Sequence, residues 1–193
     1  MSNHTSNFDV PFYYASLLPY NIITVYKYAL IKYPIFGWYL YYSENIPIEK
    51  NDTKQSLDRM NKLALKLYKN PNSVLIFPEG KISTTEELST FKVGGSILAI
   101  QTGIPILPMA ISGCKTIFGN YCINQEPIKI YIGKPISTTG LDIQKHKQIL
   151  TQKVYDTINE LKELKQTKYT DEPHIISLSL FDCFTPNFSF QSG

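Results

Sequence analysis

Residues 3–9 read NHTSNFD, which sets His4 and Asp9 five positions apart. A carboxylate bonded to one imidazole nitrogen fixes the tautomer and stabilises the imidazolium. The other nitrogen can then take a proton from an alcohol. A spacing of five does not put two side chains on one face of an ideal helix. It works if His4 sits in the loop ahead of a helix and Asp9 in its first turn. The competing reading is a chance histidine near a fraying terminus. A second stretch, residues 77–84, reads FPEGKIST. Here an apolar strand runs into Pro-Glu-Gly, which delivers Glu79 at the carboxyl end of a sheet strand, the edge along which open α/β sheets bind ligands. Gly80 permits a tight turn, and Lys81, Ser83 and Thr84 follow as phosphate ligands. The competing reading is an ordinary strand-ending turn with solvated charge.

Both stretches need elements to hold them. Ser6 or Asn7 can cap a helix from Asp9 to about Leu18, with Pro11 tolerated in its first turn and Pro19 stopping it. Residues 22–32 are apolar with Lys27 and Lys32 spaced five apart, which predicts a second helix. YPIFGWYLYY, residues 33–42, fits helix or strand, and IPIEK, residues 46–50, is extended. Asp52 or Thr53 caps an amphipathic helix in which Leu57, Met60, Leu63, Ala64 and Leu67 recur at threes and fours, ended by Asn70, Pro71 and Asn72. SVLIF, residues 73–77, reads as a buried strand. TFKVGGSILAIQTG, residues 90–103, reads as a helix closed by Gly103, with Gly94 and Gly95 allowing close packing. Strands follow at residues 104–112 and 128–133, and a last helix at about 143–165. Strands alternating with helices imply an α/β domain over residues 1–165. Residues 166–193 show no period and read as an irregular C-terminal tail.

Composition narrows the partners. The formal charge is +3, and among the nineteen basic residues the only arginine is Arg59. With no dense basic run and no arginine forks, nucleic acid is not the expected partner, whereas phospholipid headgroups suit a mildly basic surface. Cys114, Cys122 and Cys183 form no CxxC pair, which predicts reduced thiols facing a cytosol and neither a disulfide frame nor a metal site. No signal peptide or clean transmembrane helix is visible; the best uncharged run, residues 10–26, contains Pro11, Pro19 and Asn21. Nine of the fourteen tyrosines lie between Tyr13 and Tyr42, together with Trp38, Lys27 and Lys32. That mixture suits a water–lipid boundary; an aromatic core accounts for it equally well.

Taken together, the stretches resemble the 1-acylglycerol-3-phosphate acyltransferase family, within the glycerolipid acyltransferases. NHTSNFD matches its first block, Asn-His-x-Ser-x-x-Asp, at every specified position. FPEG followed by Ser83 matches most of its third, Phe-Pro-Glu-Gly-Thr-Arg-Ser. GIPILPMAIS, residues 103–112, is similar to the fourth, an apolar strand with two prolines, here Pro105 and Pro108. Phe91, Lys92 and the following glycine-led apolar helix also look like the family's Phe-Lys-x-Gly stretch. The second block, usually Ile-Asp-Arg after Pro-x-Phe-Gly, stands here as Ile48, Glu49 and Lys50 after Pro34, Ile35, Phe36 and Gly37.

The resemblance implies a central mixed sheet flanked by helices and an O-acyl transfer. The acyl group would pass from acyl-CoA or an acyl carrier protein to the free hydroxyl of a lysophospholipid, 1-acylglycerol 3-phosphate becoming phosphatidic acid. His4 would be the general base and Asp9 would orient it. Lys50, Glu79, Gly80, Lys81, Ser83 and Thr84 would form the acceptor site, with no metal or bound cofactor. The location implied is a membrane surface on the cytoplasmic side. The family's block-three arginine is Ile82 here, and its block-two arginine is Lys50, a charge without a bidentate fork. In the family a strand precedes the histidine block, whereas only Met1 and Ser2 precede Asn3. The expectation is therefore an N-terminally truncated domain lacking the strand that positions His4. The alternative is a non-catalytic truncated remnant that binds lipid or a membrane surface. A serine or cysteine hydrolase is disfavoured, since there is no Gly-x-Ser-x-Gly elbow and Cys114 has no evident partner.

Overall fold

A computed structural model describes residues 1–17, 20–32, 36–49, 53–70, 72–83, 85, 87–114, 127–164 and 174–178. Its frame is two three-stranded sheets. In the first, β1 (Ile22–Lys27) pairs in parallel with β2 (Ile46–Ile48) on one side and β3 (Ser73–Leu75) on the other. In the second, β5 (Ile128–Ile132) runs antiparallel between β4 (Met109–Ser112) and β6 (His174–Leu178). Residues 1–2 close the gap between them. Ser2 N–H donates to the Ile76 carbonyl at 3.1 Å, Met109 N–H donates to the Met1 carbonyl at 2.8 Å, and Ser2 bridges Met109 in parallel. Ahead of His4 the described residues form this one isolated bridge and no strand.

Successive strand residues face opposite sides of a sheet, and the two cores follow that rule. Ile23, Ile76, Ala110 and Tyr131 pack under α3 (Thr53–Lys69), α4 (Gly94–Thr102) and α5 (Ile143–Glu163), against Leu63, Leu67, Leu98, Val154, Ile158 and Leu161. Their neighbours Ile22, Leu75, Met109, Ile111 and Ile130 face the other way, onto Phe12 and Tyr13 of α1 (Asp9–Ser16). Burying each large apolar side chain contributes about 1.5–3 kcal/mol. The result is a mixed sheet with helices on both faces. Gly95 is the close-approach glycine, since a Cβ there would lie 2.6 Å from Met1 Cε; Gly94 has nothing within 4 Å. Gly103, at φ +68, closes α4 in the left-handed conformation.

Several expectations need correction. Residues 22–27 form a strand, and Tyr28–Lys32 a short 3-10 helix, where one helix was expected. Ile22, Ile23, Thr24 and Val25 are consecutive β-branched residues, and their stiff side chains fit a pleat buried on both faces. Of the stretch that fits helix or strand, Phe36–Tyr42 form a short helix, α2, and residues 33–35 lie outside the described residues. The tail is not irregular throughout, because β6 adds a full strand to β5. Neither Ser6 nor Asn7 supplies a side-chain cap to α1, whose N-cap residue is Phe8. Pro19, Pro34, Lys50, Asp52, Pro71, Thr84, Cys122, Cys183 and the tail beyond residue 178 lie outside the described residues.

Candidate active site

Asn3 fixes the first block to the sheet. Its Nδ2 donates to the Ile111 carbonyl at 3.0 Å, and its Oδ1 accepts from Ile111 N–H at 2.8 Å, so the amide pairs with β4 as backbone would. Ser2 Oγ bonds the Tyr13 hydroxyl beneath it. Burial holds that phenol well above its ordinary range, so it stays neutral. One residue on, His4 turns toward α1. His4 Nδ1 lies 2.9 Å from Asp9 Oδ2, with Asp9 fully buried and the His4 side chain 18 % exposed. The same Oδ2 accepts from Ser6 N–H at 2.9 Å and from Thr5 N–H, and Oδ1 accepts from Thr5 Oγ1 at 2.9 Å. A carboxylate ringed by donors stays an acceptor, so Nδ1 carries the proton and Nε2 keeps its lone pair. No other residue among those described bonds Nε2. The five-residue spacing works as expected, with His4 in the loop and Asp9 in the first turn.

The Pro-Glu-Gly turn holds the histidine from behind. His4 N–H donates to Glu79 Oε1 at 2.9 Å, and Ser83 N–H donates to the His4 carbonyl at 2.8 Å. The imidazole stacks on Phe77, with centroids 4.3 Å apart and planes at 22°. Glu79 is buried, and its Oε2 accepts from Ser89 N–H at 3.0 Å. Both of its oxygens therefore serve backbone amides, and Glu79 shapes the site without presenting its charge. Gly80 sits at φ +65, a left-handed conformation that β-substituted residues adopt at a cost.

The expected phosphate ligands separate. Lys81 is exposed on the turn. Ser83 is buried and its hydroxyl donates to the carbonyls of Thr85 and Glu87, so its expected part as a phosphate ligand is corrected to that of a loop brace. Lys50 and Thr84 lie outside the described residues. Lys92, which by sequence is a solvated helix residue and a weaker phosphate candidate, stands ahead of α4 and lies along Gly80. A Cβ on that glycine would stand 2.9 Å from Lys92 Nζ and 3.0 Å from its Cε. Only tertiary structure reveals that proximity. Arg59 is structural: it donates to the Pro47 carbonyl at 2.9 Å and lies over the Tyr28 ring at 5.7 Å. Among the described residues no group of His, Cys, Asp and Glu is placed to hold a metal, and Cys114 is a buried core thiol.

A second surface is aromatic. α2 is seated by Leu40, which is buried, and by Gly37, where a Cβ would overlap the Ile31 carbonyl oxygen at 2.0 Å. Tyr39 packs edge-on against Tyr14, with centroids 6.2 Å apart, while Trp38 and Tyr42 face outward, 68 % and 84 % exposed. Tyr28 and Tyr41 are also exposed, and Lys27 and Lys32 flank them. No helix among the described residues is long and apolar enough to cross a membrane.

The Acyltransferase family model matches residues 1–112, which contain every feature of this site. The chain is 30 % identical over 145 residues to a 1-acyl-sn-glycerol-3-phosphate acyltransferase of Cocos nucifera, covering 74 % of this chain and 47 % of that protein. It is 31 % identical over 169 residues to one of Saccharomyces cerevisiae, covering 85 % and 55 % respectively. A Pseudomonas aeruginosa protein of the same description is 28 % identical over 181 residues, covering 92 % and 70 %. The chain thus spans about half the length of the coconut and yeast relatives. Its fold is similar to the crystal structure of the 1-acyl-sn-glycerophosphate acyltransferase PlsC from Thermotoga maritima. The TM-score is 0.67 at 22 % identity, covering 88 % of this chain and 66 % of that one.

Proposed function

The chain belongs to the acyltransferase family, and from that premise we propose that it transfers a fatty acyl group from a thioester to the free hydroxyl of a lysophospholipid. The acceptor proposed is 1-acylglycerol 3-phosphate, as the relatives' names indicate for those proteins. The observation that carries the reading is the His4–Asp9 bond, which leaves Nε2 without a partner among the described residues. In the proposed step, Nε2 takes the hydroxyl proton as the oxygen attacks the thioester carbonyl. The C–S bond then breaks, and the imidazolium returns that proton to the departing thiolate. Asp9 holds the imidazolium in place. The carbonyl carbon is already activated as a thioester, so the protein's contribution is a base of fixed tautomer and a positioned acceptor.

The proposal extends to location. Exposed tryptophan and tyrosine beside lysine favour the headgroup layer of an anionic bilayer, where each ring sits half in each phase. We infer that α2 seats the protein there, on the cytoplasmic side where acyl-CoA and acyl carrier protein are available.

The test is a transfer assay on the purified chain in mixed micelles, with acyl-CoA and acyl carrier protein donors run in parallel. Thiol release and phosphatidic acid formation should both depend on 1-acylglycerol 3-phosphate. Absence of acceptor-dependent thiol release with either donor overturns the enzymatic reading and leaves a lipid-binding protein.

A further inference from the structure

We propose that Lys92 is the residue that binds the acceptor's phosphate. This rests on the acyl-transfer reading above and names the cation through which that site would recognise its substrate.

The observations concern one turn. Glu79 and Ser83 hold the two backbone groups of His4, and Gly80 lies between them. The Lys92 side chain runs along Gly80, close enough that a methyl group there would touch its last carbons and its ammonium nitrogen. Its backbone is tied to the same turn, because Lys92 N–H donates to the Pro78 carbonyl at 2.8 Å. The ammonium is exposed and makes no ion pair among the described residues. Glu79, the carboxylate of the turn itself, spends its two oxygens on the amides of His4 and Ser89.

The geometry selects among candidate anions. In a 1-acylglycerol 3-phosphate the reacting hydroxyl and the phosphate sit on neighbouring carbons. A phosphate-binding cation must therefore lie against the turn that holds the base, as Lys92 does. The phosphates of a coenzyme A donor lie a whole pantetheine arm from the thioester. Lys81 is on the turn too, but nothing described braces it, so ordering it on a ligand costs more side-chain entropy. Ile82 offers no charge, and the hydroxyl of Ser83 points into the loop. Glycine at position 80 has a second use here, since it leaves room for the lysine to lie flat.

The experiment has two readouts. The first is steady-state kinetics with a phosphorylated acceptor and with 1-acylglycerol, which lacks the phosphate. A charge-assisted bond to phosphate corresponds to roughly ten- to a hundredfold in binding. Lys92→Ala should raise the KM for the phosphorylated acceptor by about that factor. It should leave the donor's KM and turnover of 1-acylglycerol within about twofold of the unmodified chain, whereas a structural role would move all three together. Lys92→Arg should restore most of the loss, and Lys81→Ala should have a smaller effect. The second readout is glycerol 3-phosphate binding followed by phosphorus NMR, which needs no turnover. Binding should weaken in Lys92→Ala and persist in His4→Ala.

If Lys92→Ala transfers to the phosphorylated acceptor with unchanged KM, the assignment falls and the reaction stands. If the donor's KM rises instead, the cation reads the donor and the assignment also falls. If the unmodified chain transfers to no acceptor yet binds glycerol 3-phosphate in a Lys92-dependent way, the anion site stands and the reaction reading falls.

Discussion

The first block and its clamping turn stand in contrast to α2, which lies between them in the chain. Around His4 nearly every polar group is answered. Asn3 pairs with β4, Asp9 receives its donors from three residues, and Glu79 bridges two backbone segments. Around α2 Trp38, Tyr41 and Tyr42 point away from the protein, while Leu40, Gly37 and Tyr39 seat the helix. A buried, fully bonded network fixes atoms to a fraction of an ångström and suits proton transfer. A row of exposed amphipathic rings fixes nothing by itself and suits a soft surface of variable shape. One region is held rigid by its own bonds, and the other presents rings that its own chain leaves uncovered.

The contrast can be broken most sharply at the base. His4→Ala should lower acyl transfer by ~100- to 10,000-fold while leaving the circular dichroism melt almost unchanged, because the histidine's backbone bonds survive. Near-normal turnover in that variant would remove His4 from the mechanism. Asp9→Asn tests orientation and packing together. An amide presents donors where Asp9 receives them, so turnover should drop and the melting temperature should fall as well. Loss of activity with an unchanged melt would mean that the donor ring is not holding the turn.

Asn3→Ala strips the Ile111 N–H and carbonyl of their partner inside the fold. Each group left unsatisfied costs on the order of 1–3 kcal/mol, so denaturant midpoints should fall more than for His4→Ala. A midpoint equal to the unmodified chain's would show that water takes the amide's place. The smallest effect belongs to the outward rings. Trp38→Ser with Tyr42→Ser should leave stability nearly untouched and reduce flotation with anionic liposomes several-fold, with added salt reducing it further through Lys27 and Lys32. Equal flotation of variant and unmodified chain would move the membrane contact elsewhere.

The geometry of the first block was more legible in the amino-acid sequence than the scaffold was. Asn3, His4, Ser6 and Asp9 could be picked out because a local loop-and-turn geometry joins them, and short-range geometry follows from residue types. The helices α3 and α5 were legible from their apolar period. The strand at residues 22–27 was not, since a short apolar run with two lysines carries no period of its own and only the β-branched run favoured a strand. β6 was hidden for another reason. HIISL becomes a strand by pairing with β5, some forty residues away in the chain. The placements of Lys92 and Ser83 could not be read from the sequence, because the direction of a side chain in a loop is decided by tertiary contacts. A serine beside Pro-Glu-Gly turned inward, and a lysine ten residues beyond Ile82 came back over the glycine.

The seam formed by residues 1–3 also sets an order in time. His4 is seated only when its neighbours have met Ile76, Met109 and Ile111, partners as far as 108 positions along the chain. During synthesis the base must therefore wait, solvent-exposed and uncommitted, until β4 has left the ribosome. Closing so long a loop is slow compared with forming α3 or α4. The seating of His4 between Asp9 and Glu79 is then among the last contacts this domain acquires, and its appearance reports that the parallel and antiparallel halves have joined.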